Sequence, residues 1–367
     1  MPEQHHPRDN RQQTLETMRI AFDAKRYYHN RTGLGNYSRT LVNSLQTCFP
    51  ENEYVLFDEK SFARSFKMAR KAEGEGCGIL HGLSNEIPFD SPKSGVKTIV
   101  TIHDVAWRTY PGMYHFIDRQ IYDLKYGWSA KHADVVLAIS ESTKRDVQRF
   151  YGVPEERVKV IYQPVQERFY TQLPKEESRQ IATAAIPNLP HEYLLSVGSI
   201  NSRKNLLGSL QALAQTAPEN RPPLVVIGNG REYKKICQEY ASQNLRANDV
   251  IWAGQLNDDH ALQALYANAL AMMYPSHYEG FGLPVVEALL QGTPVLTSTV
   301  SSLPEAAGPG GILVDPSNTE DIANGLKSLI NDTELRRQKA IEGEAYCRQT
   351  FGTEKLTRQV MELYKQL

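Results

Sequence analysis

Residues His277 to Pro294 read H-Y-E-G-F-G-L-P-V-V-E-A-L-L-Q-G-T-P. Pro284 suits a first helical position, where no backbone N–H is needed, and Gly292 suits the far end, so a short helix is predicted between them. The apolar run A-M-M-Y-P-S precedes this stretch and P-V-L-T-S-T closes it. Strand, loop, helix and strand in that order make a unit of a parallel sheet. Glu279 stands just before a Gly-Phe-Gly turn, and Glu287 stands inside an otherwise apolar helix. Free N–H groups at the start of such a helix, after glycines that let a ligand approach, offer a site for an anion or a row of hydroxyls. A carboxylate on an apolar helix needs a partner, and vicinal hydroxyls suit it.

The same alternation extends in both directions. R-I-A-F-D-A, Y-V-L-F, G-I-L-H-G-L, K-T-I-V-T-I-H-D, D-V-V-L-A-I-S and V-K-V-I-Y-Q form one series of strand-like runs. Y-L-L-S-V-G, P-L-V-V-I-G, D-V-I-W-A-G, A-M-M-Y-P-S, P-V-L-T-S-T and G-I-L-V-D form a second. Between them, Pro164 to Pro190 scatters proline and charge. The expected class is α/β, with two doubly wound domains facing a cleft. Residues 19–170 form the first domain, 171–190 a linker and 191–349 the second. The cleft lies where strands end, which is where such sheets bind ligands.

The chain has 367 residues, 41% hydrophobic and 23% charged, enough for two ordinary domains. Its formal net charge of -1 gives no bulk attraction to nucleic acid. Cys48, Cys77, Cys237 and Cys347 lie far apart without C-x-x-C spacing, which argues against a zinc site or a disulfide framework and fits a reducing cytoplasm. No apolar run is long enough to span a membrane, and residues 1–18 lack the apolar centre of a signal peptide. They read as a disordered tail, with Met18 a candidate start.

Other candidate residues sit at strand ends. Y-Y-H-N-R-T-G-L-G-N-Y-S carries Gly33 and Gly35 ahead of a helix expected from near Asn36. It is no dinucleotide fingerprint, because Ser38 stands where a third glycine is needed. The pair is either plain loop glycine or an N–H cradle for a phosphate or sugar. His103, closing a strand, is either a satisfied core histidine or a donor to a substrate hydroxyl, and Asp104 is expected to brace the next segment. In S-I-N-S-R-K-N-L, Arg203 and Lys204 fall at the start of a helix, where cations oppose the dipole unless an anion is bound. A guanidinium fork and an ammonium fit a diphosphate, against the plain reading of a solvated surface.

Taken together these features resemble the retaining glycosyltransferases of family 4, over nearly the whole chain after residue 18. The most specific element is E-G-F-G-L-P-V-V-E, supported by the G-L-G loop, the H-D pair, V-G-S-I-N-S-R-K-N-L and S-S-L-P-E-A-A-G-P-G-G-I-L-V-D-P. The resemblance implies the two-domain GT-B fold, with residues 350–367 returning to the first domain as a helix. It also implies a nucleotide-sugar donor held mainly by the second domain. Arg203 and Lys204 would neutralise the diphosphate, and Glu287 would take the ribose hydroxyls. Glu279 with Gly280, Phe281 and Gly282 would hold the sugar, and His103 would meet it from the other side. Gly33 and Gly35 would approach the phosphates, Gly254, Gln255 and Leu256 would lie along the base, and Leu283 and Pro284 would shape the turn. Many relatives place arginine directly after the glycine at 198, where this chain has Ser199, so Arg203 must supply that charge.

The implied reaction needs neither a metal nor another cofactor, because fixed cations can stabilise the leaving diphosphate. Segments such as S-R-K-N and H-D-V-A-W are similar to those of mannosyl- and other hexosyltransferases of polysaccharide assembly, which favours GDP-mannose over a UDP-hexose. The acceptor would be a glycan or a lipid-linked sugar. A sugar-nucleotide epimerase and a non-catalytic nucleotide-sugar-binding subunit of the same architecture are the alternatives. Finally, D-E-K-S-F-A-R-S-F-K-M-A-R-K-A-E-G, read as one helix, places Phe62, Phe66 and Ala69 on one side among cations. That helix either packs its phenylalanines on the sheet or lies on an anionic membrane at the inner face.

Overall fold

The computed structural model describes residues 17–30 and 33–367. Nearly all of the expected disordered tail therefore falls outside the described residues. Six parallel strands form the first sheet: β1 (Arg19–Asp23), β2 (Glu53–Phe57), β3 (Ile79–Gly82), β4 (Lys97–Ile102), β5 (Val135–Ala138) and β6 (Val158–Val160). Six more form the second: β7 (Leu194–Val197), β8 (Leu224–Ile227), β9 (Val250–Gly254), β10 (Ala271–Tyr274), β11 (Val295–Ser298) and β12 (Gly311–Val314). Their spatial orders are β2-β1-β3-β4-β5-β6 and β12-β11-β10-β7-β8-β9. Helices cover both faces, so Ile20, Phe22, Leu80, Ile99, Val136, Leu195, Val225, Met272 and Leu296 are all buried, as continuous Val/Ile/Leu runs require.

The two orders place the cleft. The winding reverses between β1 and β3 in the first sheet and between β7 and β10 in the second, and loops leaving such neighbours diverge to open a crevice. The segments after β1, β4, β7 and β10 carry Gly33, His103, Lys204 and Glu279 respectively.

The expected linker is largely a helix of the second domain. Lys175–Ala185 starts after Pro174 and packs along the Asp259–Asn268 helix, with Ala182 buried between them. Its sequence is rich in Lys, Glu, Arg, Gln and Ala, good helix formers among which the scattered proline and charge of the surroundings masked the pattern. The true crossing is shorter, and Gln291 Nε2 pins it by donating to the Phe169 carbonyl at 2.6 Å. The chain crosses back at Gly352, and the Thr353–Lys365 helix lies on the first domain. There the Tyr364 hydroxyl meets His81 Nδ1 at 2.6 Å.

Residues 58–74 also differ from expectation. They form two short helices, Ser61–Phe66 and Met68–Gly74, broken at Lys67. Arg64 is buried and pairs with Asp23 at 2.6 Å and Glu86 at 3.0 Å, which fixes the first helix against β1. Ala69 faces the core while Phe62 and Phe66 face outward, so the three do not share a side. No helix among the described residues is long and apolar enough to cross a membrane.

Candidate active site

Arg203 and Lys204 occupy a single 3-10 turn, Ser202–Lys204, and the helix proper starts at Leu206. Asn205 between them takes a left-handed conformation, φ 54°, which asparagine tolerates better than most side chains. Its Oδ1 accepts from Gly208 N at 3.2 Å, and its Nδ2 donates to the carbonyls of Pro275 and Pro316. The helix N-terminus is thus capped from within and the cations lie outside its first turn. This corrects the expectation that they open the helix. What offsets their charge is Glu279.

Glu279 Oε1 lies 2.7 Å from Lys204 Nζ, and Oε2 lies 2.8 Å from Arg203 Nη1. Tyr274, the last residue of β10, donates its hydroxyl to Glu279 Oε1 at 3.2 Å, receives a hydrogen bond from Lys204, and places its ring 4.7 Å below the ammonium. Arg203 Nη1 also donates to the Tyr278 carbonyl at 2.5 Å. Burial pushes the Glu279 carboxyl up, but Lys204 and Arg203 more than offset it, so the group is held below its ordinary range. Burial lowers Lys204, with Glu279 opposing; for Arg203 the same carboxylate outweighs burial and the guanidinium stays charged. Asp104, across the cavity that both cations border, adds a second carboxylate that acts on them.

The first domain meets the second at Gly280. The Gly280 carbonyl accepts from Ser140 Oγ at 2.7 Å and Thr143 Oγ1 at 3.2 Å. Around it, Tyr110 donates to the His277 carbonyl at 2.9 Å and Tyr278 to Asp146 Oδ2 at 2.7 Å. Glu305 reaches across to cap the Glu141–Tyr151 helix, accepting from Glu141 N at 2.7 Å and Ser142 N at 2.9 Å.

His103 is buried, with its ring edge-on to Tyr37. Its Nε2 stands 2.9 Å from the Leu83 carbonyl, an acceptor only, so Nε2 carries the proton. Burial lowers its pKa to about 4 and keeps the ring neutral. Nδ1 is therefore an acceptor, and the expectation that His103 donates to a substrate hydroxyl is corrected: it can take a hydrogen bond, not give one. Asp104 braces the chain through Ala106 N at 3.1 Å.

A cavity of about 630 Å³ lies between the two walls. Among the candidates, Gly33, His103, Arg203, Lys204, Gln255, Leu256, Glu279, Gly280, Phe281, Gly282 and Leu283 border it. Gly33 begins the Gly33–Cys48 helix, three residues earlier than expected, and nothing crowds its α-carbon. Gly35 has a different task, because a β-carbon there would fall 1.8 Å from the Asn30 carbonyl oxygen; it serves packing and does not border the cavity. Gly254, at φ +75°, makes the turn and accepts from Gly228 N at 2.7 Å, leaving the lining to the two residues after it.

Glu287 does not border this cavity either. It sits one helical turn beyond Leu283 and accepts from the Tyr266 hydroxyl at 3.1 Å. Burial raises its pKa to about 7, and the Tyr266 bond opposes that only in part. Tyr274 and Asn229 line the cavity but were not singled out from sequence, and Ser199, noted there only as standing in place of an arginine, lines it too. Tyr274 ends β10 while Ser199 and Asn229 lie two residues past β7 and β8, and that position was the signal for them. Gln255 and Leu256 also border a neighbouring cavity of about 670 Å³, with Arg39, Asn257 and Asp259.

Residues 180–345 match the family Glycosyl transferases group 1, and residues 53–168 match Glycosyltransferase Family 4. The chain is similar to the O-antigen chain mannosyltransferase B of Escherichia coli, 27% identical over 391 residues that cover 95% of this chain and 100% of the relative. It also resembles the solved structure of sucrose-phosphate synthase from Thermosynechococcus elongatus, with TM-score 0.76, 20% identity, and coverage of 95% of this chain and 98% of that one. For Anabaena Alr3699/HepE in complex with UDP the values are 0.75, 18%, 95% and 100%. These likenesses give the fold, which is GT-B.

Proposed function

Because the chain belongs to the two-domain glycosyltransferases that those families describe, we propose that it moves a hexose from a nucleoside diphosphate sugar to a glycan or lipid-linked acceptor, retaining the anomeric configuration. The observation that carries this reading is the convergence of Arg203 and Lys204 on one carboxylate, Glu279, at the carboxyl ends of β7 and β10. A diphosphate entering there meets a guanidinium and an ammonium. In the reaction the bond from the anomeric carbon to the β-phosphate oxygen breaks, and its electron pair leaves with the diphosphate. The acceptor oxygen bonds to the same face of the sugar, and its proton passes to the leaving phosphate. Charge grows on that phosphate in the transition state, so cations already fixed beside it lower the barrier, and the scheme asks for no metal.

Glu279 holds its cations in place and offers oxygen to the sugar hydroxyls, while Nδ1 of His103 accepts from a hydroxyl on the opposite side. Mannose is favoured by the name of the Escherichia coli relative. Gln255 and Leu256 border both cavities, so there is room beside them for a purine, and guanine is taken as the base that accompanies mannose in the resemblance. Glu287 takes the ribose hydroxyls in this reading once the donor displaces the local packing around Tyr266. We place the enzyme in the cytoplasm, at the inner face of a membrane where lipid-linked acceptors lie.

The test is a thermal-shift panel of GDP-mannose with UDP- and ADP-sugars. A ligand at one hundred times its Kd adds about 2.7 kcal/mol of stability by mass action. GDP-mannose is expected to raise Tm most, and turnover to follow. No shift with any nucleotide sugar contradicts the reading, and binding without any turnover favours a non-catalytic subunit.

A further inference from the structure

Two polar side chains of the first domain border the cavity with hydrogen-bonding capacity unused. Asp104 follows β4 and Gln163 follows β6, and both line the cavity of about 630 Å³. Asp104 accepts from Ala106 N at 3.1 Å through Oδ1; among the described residues no donor reaches Oδ2 and no cation forms an ion pair with the carboxylate. Gln163 is only 5% exposed, yet its amide has no hydrogen bond among the described residues. Burial raises the Asp104 pKa, and the Ala106 N–H and Arg203 oppose that. A carboxylate oxygen and a nearly buried amide left in this state cost stability unless a ligand supplies what they lack. The two residues flank one turn. A β-carbon on Gly280 would stand 3.1 Å from the Asp104 β-carbon, and Tyr162, next to Gln163, sets its ring 5.7 Å from Phe281.

The charges around the cavity restrict what that ligand can be. Among the described residues the lysine and arginine side chains that border it are Lys204 and Arg203, both on the second-domain wall, and the donor diphosphate takes them in the transferase reading. The first-domain side has neither, and His103 there is neutral. A phosphate or carboxylate brought to that side would face Asp104 with nothing to offset it. A neutral hydroxyl meets no such barrier, because Asp104 Oδ2 accepts a hydrogen bond from it and the Gln163 amide can donate or accept. We propose that Asp104 and Gln163 form the acceptor subsite, and that the acceptor is a neutral sugar bound through hydroxyls beside the one that reacts. The attacking oxygen keeps its own proton for the leaving phosphate, so neither side chain acts as a base. An enzyme with this subsite lengthens an existing glycan. The reaction that supplies its substrate is an earlier glycosyl transfer that leaves a neutral sugar at the growing end. The reaction rests on the transferase reading, whereas the sugar subsite rests on the first-domain geometry alone.

Transfer from GDP-mannose to the methyl glycosides of mannose, glucose, galactose and N-acetylglucosamine tests the proposal, with the best of them also supplied as its 6-phosphate. The wild type is expected to use one of these neutral glycosides and to use its 6-phosphate roughly tenfold less well or worse. D104N keeps an oxygen for Ala106 N but puts a donor where Oδ2 stood. Its KM for the glycoside is expected to rise roughly tenfold or more, with the GDP-mannose thermal shift kept and the discrimination against the 6-phosphate reduced. Q163L is expected to raise the same KM and to keep that discrimination. A merely structural role would move Tm and donor binding rather than this ratio. The proposal is overturned if the wild type prefers the phosphorylated acceptor, if it neither uses nor binds any of the neutral glycosides, or if both variants keep the wild-type KM. It is equally overturned if either variant loses the donor shift, which would assign that side chain to the donor. Binding of the glycosides without donor, read by saturation-transfer NMR, keeps the two claims apart. A signal that D104N loses, in a protein that no nucleotide sugar stabilises, supports the sugar subsite and sinks the transferase reading.

Discussion

Gly280 lies so close to the main chain of His103 that a β-carbon on it would stand 2.0 Å from the His103 carbonyl oxygen. Gly280 belongs to the second domain and His103 to the first, so this contact sets how near the two walls of the cleft approach. Gly280→Ala should force them apart. A turnover loss of roughly 100-fold is expected from that misplacement, with little change in the stability of either domain. Small-angle scattering should show a larger radius for the variant; an unchanged radius with full activity would refute the contact's role.

The group of Lys204, Arg203 and Glu279 separates function from fold. Lys204→Ala leaves Glu279 paired with Arg203, so turnover should fall roughly 100-fold or more while stability changes little. Glu279→Ala instead leaves two nearly buried cations facing each other, and should cost about 3–5 kcal/mol in urea unfolding. Combining the two changes should be less damaging to stability than the sum of both, because the second removes one of the stranded charges. Strict additivity would show that the ion pair is not formed.

Glu287 makes a pH dependence with a definite sign. Its pKa is raised by burial from 4.5 to about 7. Below pH 4.5 it is protonated folded or unfolded and contributes no difference. Between 4.5 and about 7 the folded chain holds a proton that the unfolded chain has released, so stability falls as pH rises, and the full penalty is present above about 7. Glu287→Gln should therefore be the more stable protein above that range and equal to wild type below it, measured by thermal unfolding. If the carboxylate takes ribose hydroxyls, donor affinity should move the other way, tightening as pH rises through about 7.

Glu305 caps a helix of the opposite domain, so its loss should be felt between domains. Glu305→Ala is expected to remove about 1 kcal/mol of capping and to raise KM for the donor more than it lowers kcat, since closure rather than chemistry is weakened. A kcat effect alone would point to a role in the chemistry instead.

The fold was legible because most of its strands are short apolar runs rich in Val, Ile or Leu, β10 with its A-M-M-Y being an exception, and burial on both faces demands apolar composition. The Glu279 to Glu287 segment was legible for a related reason, since Pro284 and Gly292 punctuate the helix from both ends. Pairings between distant residues were not legible. Glu279 meets Lys204 across a gap of many residues, and no local pattern says that a carboxylate assigned to a sugar will be bridging two cations. The proton on His103 was decided by the Leu83 carbonyl, and the purpose of Gly35 by the Asn30 carbonyl, both set by how the chain folds back. The helix at 175–185 was hidden by proline and charge on either side, and the break at Lys67 by an apparent periodicity that the buried Arg64 overrides.

The most direct test of the central claim is turnover of GDP-mannose by the purified protein in excess chelator with a simple alcohol as acceptor, the product anomer being read by NMR. The account expects release of GDP, an α-linked product from the α-linked donor, no dependence on added magnesium or manganese, and loss of activity in Lys204→Ala. A β-linked product, or activity that dies in chelator and returns with metal, would contradict it.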